Sequence, residues 1–361
     1  MQHNIPAEEL GPLGPLMADA VSKCVHCGFC LQACPTYQVM GEEMDSPRGR
    51  IYLLKEVLEG SLPLDEATPY IDRCLGCLSC EPACPSGVPY RNLITPFRIL
   101  AEPIRARTRF DRFLRWVILQ TLPYPNRFRL SAILGGLGKR FASAMPRRMK
   151  EMTALLPTKL PAARPLPELT PAVGTRRARV ALLAGCAQQV LAPDINHAAI
   201  RVLSNSGVEV VVPKNQVCCG AIAAHTGAGE LACKLARQNL VAFPQDVDCI
   251  ITTAAGCGSG MHEYPVWLKN DSKEGEAKKL AVLVKDVSAF LLELGPLNLV
   301  PLERPTRIAY HDACHLANGQ GITSQPRALL QQIGNREVVE VKGGQNCCGS
   351  AGTYNIEQPE A

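Results

Sequence analysis

Two runs of cysteine with identical spacing fix most of what this chain can be. The first is Cys24-x2-Cys27-x2-Cys30-x3-Cys34-Pro35, and the second is Cys74-x2-Cys77-x2-Cys80-x3-Cys84-Pro85. Each follows the pattern C-x2-C-x2-C-x3-C-P through to its proline. An iron–sulfur cubane takes one thiolate at each of its iron corners. Three cysteines spaced by two residues on a tight loop can cover three corners. The fourth cysteine lies out of that loop's reach, because the x3 spacing and the proline turn the chain away. The spacing therefore predicts an exchange: Cys24, Cys27, Cys30 and Cys84 hold one [4Fe–4S] cluster, and Cys74, Cys77, Cys80 and Cys34 hold the other. Exchange also sets the two clusters side by side, as a two-step wire for electrons. Small residues beside the ligands (Gly28, Ala33, Gly76, Ser79, Ala83) let backbone N–H groups approach the sulfurs and tune the potential. Paired zinc knuckles are the alternative, but they need neither the third cysteine nor the proline. His26, inside the first loop, reads as a neighbour of the ligands, since four cysteines are already present.

The chain has 17 cysteines in 361 residues, so a disulfide framework must be weighed against metal sites. Disulfide frameworks belong to small secreted domains with a signal peptide. The opening MQHNIPAEELGPLGPLMADA has no basic segment followed by an apolar one, and no stretch reaches the roughly 18 apolar residues that cross a bilayer. The expectation is a cytoplasmic protein with reduced cysteines, either free in the cytoplasm or peripheral on the inner face of the membrane. Apolar residues at 47% and charged residues at 20% suit a globular protein with real cores. A formal charge of +5 is no nucleic-acid signature, and bound clusters would lower it.

The expected fold class is α+β multidomain. An α-helical two-cluster ferredoxin domain (1–95) leads. A basic helical and linker segment (96–175) follows, then a duplicated α/β region. Its first half (176–300) runs through a strand Val180–Ala184, Cys186, a helix from Asp194, a strand Val208–Val212, Cys218-Cys219-Gly220, a second helix, a strand Cys249–Thr253 and Cys257. Its second half (301–361) repeats the order with a strand Arg307–Tyr310, Cys314, a helix, a strand Glu337–Val341 and Cys347-Cys348-Gly349. Strands alternating with helices predict parallel pairing with crossovers.

Cys186, Cys218, Cys219 and Cys257 are expected in loops after strands, where α/β folds place ligands. Cys314, Cys347 and Cys348 are their counterparts. Adjacent cysteines make strained disulfides, so these seven read as a redox or metal site against a plain packing alternative. Cys233 and Cys249 lie in apolar helix-like and strand-like patterns and read as packing residues. His311 and His315 flank Cys314 and could assist a metal or move protons, or serve as structural groups. Between the two runs, Arg48 and Arg50 are either cations near an anionic cluster, pairs to a partner's carboxylates, or exposed charges at a helix start. In the basic middle, Arg98, Arg105, Arg107, Arg109, Arg112 and Arg115 interleave with Phe110, Phe113 and Trp116. Three readings stand: contact with an anionic membrane surface, docking on a partner, or an amphipathic helix packed on the cluster domain.

Two ferredoxin runs followed by two CCG repeats resemble the iron–sulfur subunits of the succinate dehydrogenase and heterodisulfide reductase type. Within that group the chain resembles the iron–sulfur subunits of bacterial glycolate oxidase. The resemblance rests on CVHCGFCLQACPTYQVMGEEMDSPRGRIYLLKEVLEG at 24–60, DRCLGCLSCEPACPSGV at 72–88, GCA at 185–187 and CCGSAGTY at 347–354. It implies an electron-transfer subunit: an FAD-containing dehydrogenase partner oxidises glycolate to glyoxylate, and electrons pass on toward a quinone or other membrane acceptor. The chain shows no flavin fingerprint of its own, so substrate chemistry is assigned to the partner. The same architecture serves D-lactate and glycerol-3-phosphate dehydrogenases and heterodisulfide or thiol reductases, and these remain alternatives. CCG domains of heterodisulfide reductase subunits hold unusual clusters, which leaves open a third cluster here. This sequence departs from that pattern twice. The closing C-x2-C reads Cys257-Gly-Ser-Gly260, and the second repeat ends at Ala361, before a closing cysteine. The expectation is a truncated chain or an incomplete site.

Overall fold

Helix α1 (Gly14–Ser22) leads into the first cysteine run, which closes on α2 (Pro35–Met40). The computed structural model describes residues 1–139, 146–297, 299–349 and 351–358, so residues 359–361 of the last expected domain lie outside it. Helix α3 (Pro47–Leu58) starts at Ser46, whose hydroxyl accepts from the Gly49 N–H at 2.9 Å, with Pro47 in the first turn. A serine cap followed by proline is helix-start chemistry. Its buried Ile51, Leu54 and Leu58 recur at helical spacing and share a core with Met17 and Val21 of α1. Helix α4 (Leu64–Asp72) precedes the second run, and α5 (Arg91–Ala101) follows it and packs on α1. Leu93, Ile94 and Phe97 of α5 all belong to this core, so the helical unit continues through residue 95, where the sequence placed a boundary. The middle of the chain forms α6 (Arg109–Thr121), α7 (Pro125–Gly138) and α8 (Arg147–Ala154).

The α/β region is built on a five-stranded sheet. Its elements in chain order are β1 (Leu169–Thr170), β2 (Ala178–Leu182), α9 (Ala187–Leu191), α10 (Pro193–Asn205), β3 (Val208–Val211), α11 (Ala221–His225) and α12 (Gly229–Ala242). Then come β4 (Cys249–Thr252), α13 (Ala255–His262), α14 (Tyr264–Trp267), α15 (Glu274–Leu283), β5 (Val284–Asp286) and α16 (Val287–Leu294). The order across the sheet is β1-β3-β2-β4-β5, parallel throughout except for the edge strand β1. Helices cover both faces, which is why Val180–Leu182 and Ile250–Ile251 are continuous buried apolar runs.

The second half repeats the order in smaller form: β6 (Thr306–Tyr310), α17 (Cys314–Gln320), α18 (Ser324–Leu330), β7 (Arg336–Glu340) and α19 (Tyr354–Glu357). Here β6 and β7 pair in parallel as a separate two-stranded sheet, from Thr306 opposite Arg336 to Tyr310 opposite Glu340. The architecture is α+β, with the CCG repeat displayed as strand, cysteine, helices, strand and cysteine pair. Among the described residues no helix is long and apolar enough to cross a membrane.

The ferredoxin and CCG units meet where α5 packs on α11 and where α17 hydrogen-bonds the second cysteine loop and Arg91. Gly227 permits the approach. Its φ of +83° suits glycine, and a Cβ there would fall 2.5 Å from the Arg98 carbonyl oxygen.

Candidate iron–sulfur centres

The two cysteine runs fold into near-identical loops. In the first, His26 and Gly28 take left-handed backbone (φ +56° and +85°); in the second, Gly76 and Leu78 do so (+63° and +60°). These are equivalent positions, the residue before the second cysteine and the residue after it. Each loop relieves one of its two left-handed positions with glycine, at opposite places. The paired strain was not legible in the spacing, although glycine at one position of each loop hinted at it.

The loops and their distant fourth cysteines enclose two small cavities. The first, of about 30 Å³, is lined by Cys24, Cys27, Cys30 and Cys84. The second, of about 20 Å³, is lined by Cys34, Cys74 and Cys77. Cys80 and Tyr90 line both, so the cavities share a wall. The residues fit an iron–sulfur cluster on the chemistry of the donor set: thiols face each void, the other walls are largely apolar, and the Gly76 N–H points to Cys74 Sγ at 3.5 Å. Burial raises the Cys24 thiol and pushes Cys30 up to about 11. A hydrogen bond with Cys347, joined by burial, raises Cys77, and burial raises Cys80. Metal binding must therefore displace protons from these thiols.

Arg50 is the unexpected part of this site. It is 1% exposed and ion-paired with the fully buried Asp45 at 3.0 Å, so the reading of an exposed charge at a helix start fails for it. Its Nη1 donates to Thr36 Oγ1 at 3.0 Å and stands 3.8 Å from Cys34 Sγ. Its Nε donates to the Tyr70 carbonyl at 2.7 Å. Arg73 holds the other side of Asp45 at 2.8 Å. Arg48 lies under the other loop: it pairs with Glu43 at 2.8 Å and donates to the His26 carbonyl at 3.2 Å. His26 Nε2 lies 3.1 Å from Met1 Sδ.

The CCG cysteines gather at a larger cavity of about 490 Å³ between the units. Cys186, Cys218, Cys219 and Cys257 line one part of it, Cys314 and Cys348 another, and Cys74 of the ferredoxin unit faces it too. Cys186 and Cys218 Sγ are 3.3 Å apart. That contact, then burial, raises the Cys186 thiol. Cys257 differs from expectation: it sits inside α13 and not in a loop. The small residues around it let that helix press in, since a Cβ on Gly260 would meet the Ala221 Cβ at 2.7 Å. Cys347 is not part of the cavity lining; its thiol contacts Cys77 and Cys314, and the contact with Cys314 leads in pushing it up to about 12. Cys233 donates to the Trp267 carbonyl at 3.1 Å, and Cys249 is buried in β4. Among the described residues no three His, Cys, Asp or Glu side chains converge to hold a single metal ion.

Two histidines stand where the units meet. His225 and His315 have ring centroids 5.3 Å apart. Burial, then the neighbouring ring, lowers His225 to about 3, and burial with Arg91 lowers His315 to about 4. His311 also lines the cavity. The seam is latched by α17, where Asn318 Nδ2 donates to the Cys77 carbonyl at 3.1 Å and to Ser79 Oγ at 2.9 Å. Arg91 donates to the Gly319 carbonyl at 3.0 Å while paired with Glu81. Of the basic middle, Arg98 donates to the Cys74 carbonyl at 2.6 Å, and Arg105, Arg107 and Arg115 pair with Asp72 and Glu102. Arg109 and Arg112 stay exposed.

Comparison with known proteins agrees with this layout. Residues 20–88 match the 4Fe-4S dicluster domain, and residues 180–262 and 308–361 match the cysteine-rich CCG domain. The chain is 36% identical to the glycolate oxidase iron–sulfur subunit of Escherichia coli (strain K12), over 100% of its own length and 87% of the relative. It is 37% identical to a probable glycolate oxidase iron–sulfur subunit of Bacillus subtilis (strain 168), over 93% of its length and 80% of the relative. It is 30% identical to lactate utilization protein A of Bacillus thuringiensis (strain Al Hakam), over 50% of its length and 75% of that protein. No solved structure matches the chain.

Proposed function

The chain belongs to the family of glycolate oxidase iron–sulfur subunits, and from that premise we propose that it is the electron-transfer subunit of a 2-hydroxy-acid dehydrogenase complex that oxidises glycolate. The observation that carries this reading is the pair of thiol-ringed cavities with a common wall, each completed by a cysteine from the other run. Cys24, Cys27, Cys30 and Cys84 would hold one cubane, and Cys74, Cys77, Cys80 and Cys34 the other. When bound, such clusters supply one-electron redox chemistry, which suits the stepwise unloading of a two-electron flavin.

The chain's own residues give the path a direction. Cys27 is the exposed cysteine of the eight, and Val25 and Phe29 beside it are 65% and 67% exposed. This apolar loop is the docking face for an FAD-containing dehydrogenase subunit, on which glycolate becomes glyoxylate. The other loop is roofed by α17 and turns inward to the CCG cavity. Arg50 places a fixed positive charge at Cys34, which favours the reduced state of that site. Electrons leave toward a quinone-type acceptor in the membrane, with the chain bound peripherally at the cytoplasmic face.

The lining of one part of the cavity by Cys186, Cys218, Cys219 and Cys257 favours a second reading of the CCG region, as the seat of a third iron–sulfur cluster with help from Cys314, Cys347 and Cys348. Anaerobic co-purification with the flavoprotein tests all of this. Iron and sulfide near eight each per chain support two cubanes, and values near twelve support the third cluster. A complex that turns over D-lactate or glycerol 3-phosphate but not glycolate would move the substrate. Zinc in place of iron would end the proposal.

A further inference from the structure

Helices α6 and α7 leave apolar faces that nothing among the described residues covers. Helix α6 buries Leu114 and Ile118 but leaves Phe113 and Trp116 58% and 59% exposed, with their rings stacked at 6.3 Å. Helix α7 buries Phe128 and Ala132 on one side. On another, Leu130, Ile133, Leu134 and Leu137 are 47–59% exposed at i, i+3, i+4 and i+7, a continuous stripe. A helix that only packs on its own domain turns mainly polar residues to solvent, whereas this one turns the leucine stripe there beside Asn126 and Arg127.

The charge around these faces is segregated. Residues 101–150 hold twelve Lys and Arg against two Asp and Glu, a net +10 in a chain whose total is +5. Both acids are already engaged: Glu102 by Arg107 and Arg115, and Asp111 by Arg148. Arg109 and Arg112 stand one turn before Phe113 and Trp116, are exposed, and make no ion pair among the described residues. Arg127 stands one turn before Leu130 and lies over the Tyr124 ring at 4.5 Å. Apolar stripes with aromatic residues, bordered by unpaired arginines, match a layer of anionic headgroups above acyl chains. The apolar face of a second protein would complement the leucines and leave the arginines without partners.

We propose that the α6–α7 pair lies in the plane of an anionic lipid surface and seats the chain there. This deepens the reading of a membrane acceptor and rests on it only for its purpose, because lipid binding needs no turnover. The test uses the full chain, purified anaerobically with its clusters. Co-sedimentation is measured with phosphatidylcholine vesicles, with and without about one third phosphatidylglycerol. Wild type is expected to bind the anionic vesicles at least about tenfold more strongly, with the gain lost in high salt. Leu130→Glu with Leu134→Glu is expected to lower binding at least about tenfold. Arg109→Glu with Arg112→Glu is expected to abolish the preference for the anionic lipid. Visible cluster absorbance and melting temperature equal to wild type establish that the variants are folded. Wild type that binds both vesicles equally, or variants that bind as wild type does, overturn the proposal. So does a dimer that the leucine variant splits, or a flavoprotein complex that no longer binds vesicles, since either shows the face covered by protein. A chain that binds vesicles yet passes no electrons would refute the proposed function and leave this surface standing.

Discussion

Replacing Arg50 tests the link between the buried charge network and electron transfer. Arg50, Asp45 and Arg73 form a connected group with a net charge of +1 beside Cys34. Arg50→Met keeps the length and removes that charge. The nearest guanidinium nitrogen is 3.8 Å from Cys34 Sγ. At an effective dielectric of about 20, a unit charge at that distance is worth ~4 kcal/mol. For one electron, about 1.4 kcal/mol corresponds to 59 mV, so the ceiling is roughly 170 mV. The added electron spreads over the whole cluster, which brings the working value to on the order of 100 mV. The site completed by Cys34 is expected to become harder to reduce by that amount, while the site completed by Cys84 moves much less. Reductive titration followed by electron paramagnetic resonance measures both. Arg50→Lys, which keeps the charge, is expected to restore most of the shift. The same Arg50→Met change is expected to destabilise the protein by about 3 kcal/mol, the low end for breaking a buried pair, because Arg73 still holds Asp45. A potential within about 30 mV of wild type in a folded, fully loaded variant would refute the electrostatic reasoning. Equal shifts at both sites would refute the assignment of Cys34.

Ligand exchange has a sharper genetic signature: Cys24→Ala and Cys84→Ala are each expected to lose one cluster, and the double variant still only one. Loss of both from the double variant, counted by iron content, would mean that each run holds its own cluster. Gly28→Ala places a Cβ 2.8 Å from Arg48 Nη1 at a φ of +85°, and its expected cost is about 1–2 kcal/mol, read as a melting temperature lower by several degrees. An unchanged melting temperature would show that the loop tolerates the strain. Glu263, buried between α13 and α14, has its carboxyl pushed up to about 7 by burial against the pull of Arg91. The folded chain therefore keeps a proton that the unfolded chain releases above its ordinary value of 4.5, so stability falls as pH rises from about 4.5 to 7 and then levels off. Glu263→Gln lacks that fall, and its advantage over wild type is expected to grow from pH 5 to pH 8, to at most on the order of 3 kcal/mol. A pH-independent difference in denaturant midpoint would refute the assignment.

The gathering of the ferredoxin cysteines around two voids and the repeated order of the CCG region could be read from spacing, because spacing is set by covalent reach and by the period of strands and helices. Charge placement was less legible. Arg48 and Arg50 are two residues apart and look alike in sequence, yet one lies partly in solvent beneath a loop and the other is sealed in the core. That difference comes from Asp45 and Tyr70, partners brought in by tertiary packing. Cys257 is expected in a loop because it follows a strand, and the helix around it is hard to read because Gly256, Gly258 and Gly260 are poor helix formers. Its contact with α11 needs small residues and overrides that propensity. Residue 95 looked like a boundary because cysteines stop there, but cysteine content does not mark where a hydrophobic core ends. The basic middle gave one composition and two fates: Arg98, Arg105, Arg107 and Arg115 turn inward, while Arg109 and Arg112 do not. Within α6 helical phase separates Arg115 from Arg109 and Arg112, Arg105 and Arg107 turn in from the loop before it, and only packing fixes either.

The latch of α17 on the second ferredoxin loop bears on biogenesis. Asn318 grips the peptide of Cys77 across 241 residues of chain. During synthesis the first cysteine run and its helices can collapse early, but the roof over Cys77 does not exist until the ribosome has passed residue 318. The nascent protein thus carries one unroofed loop until α17 is made. Loading of that pocket is therefore expected to be completed only when α17 has docked.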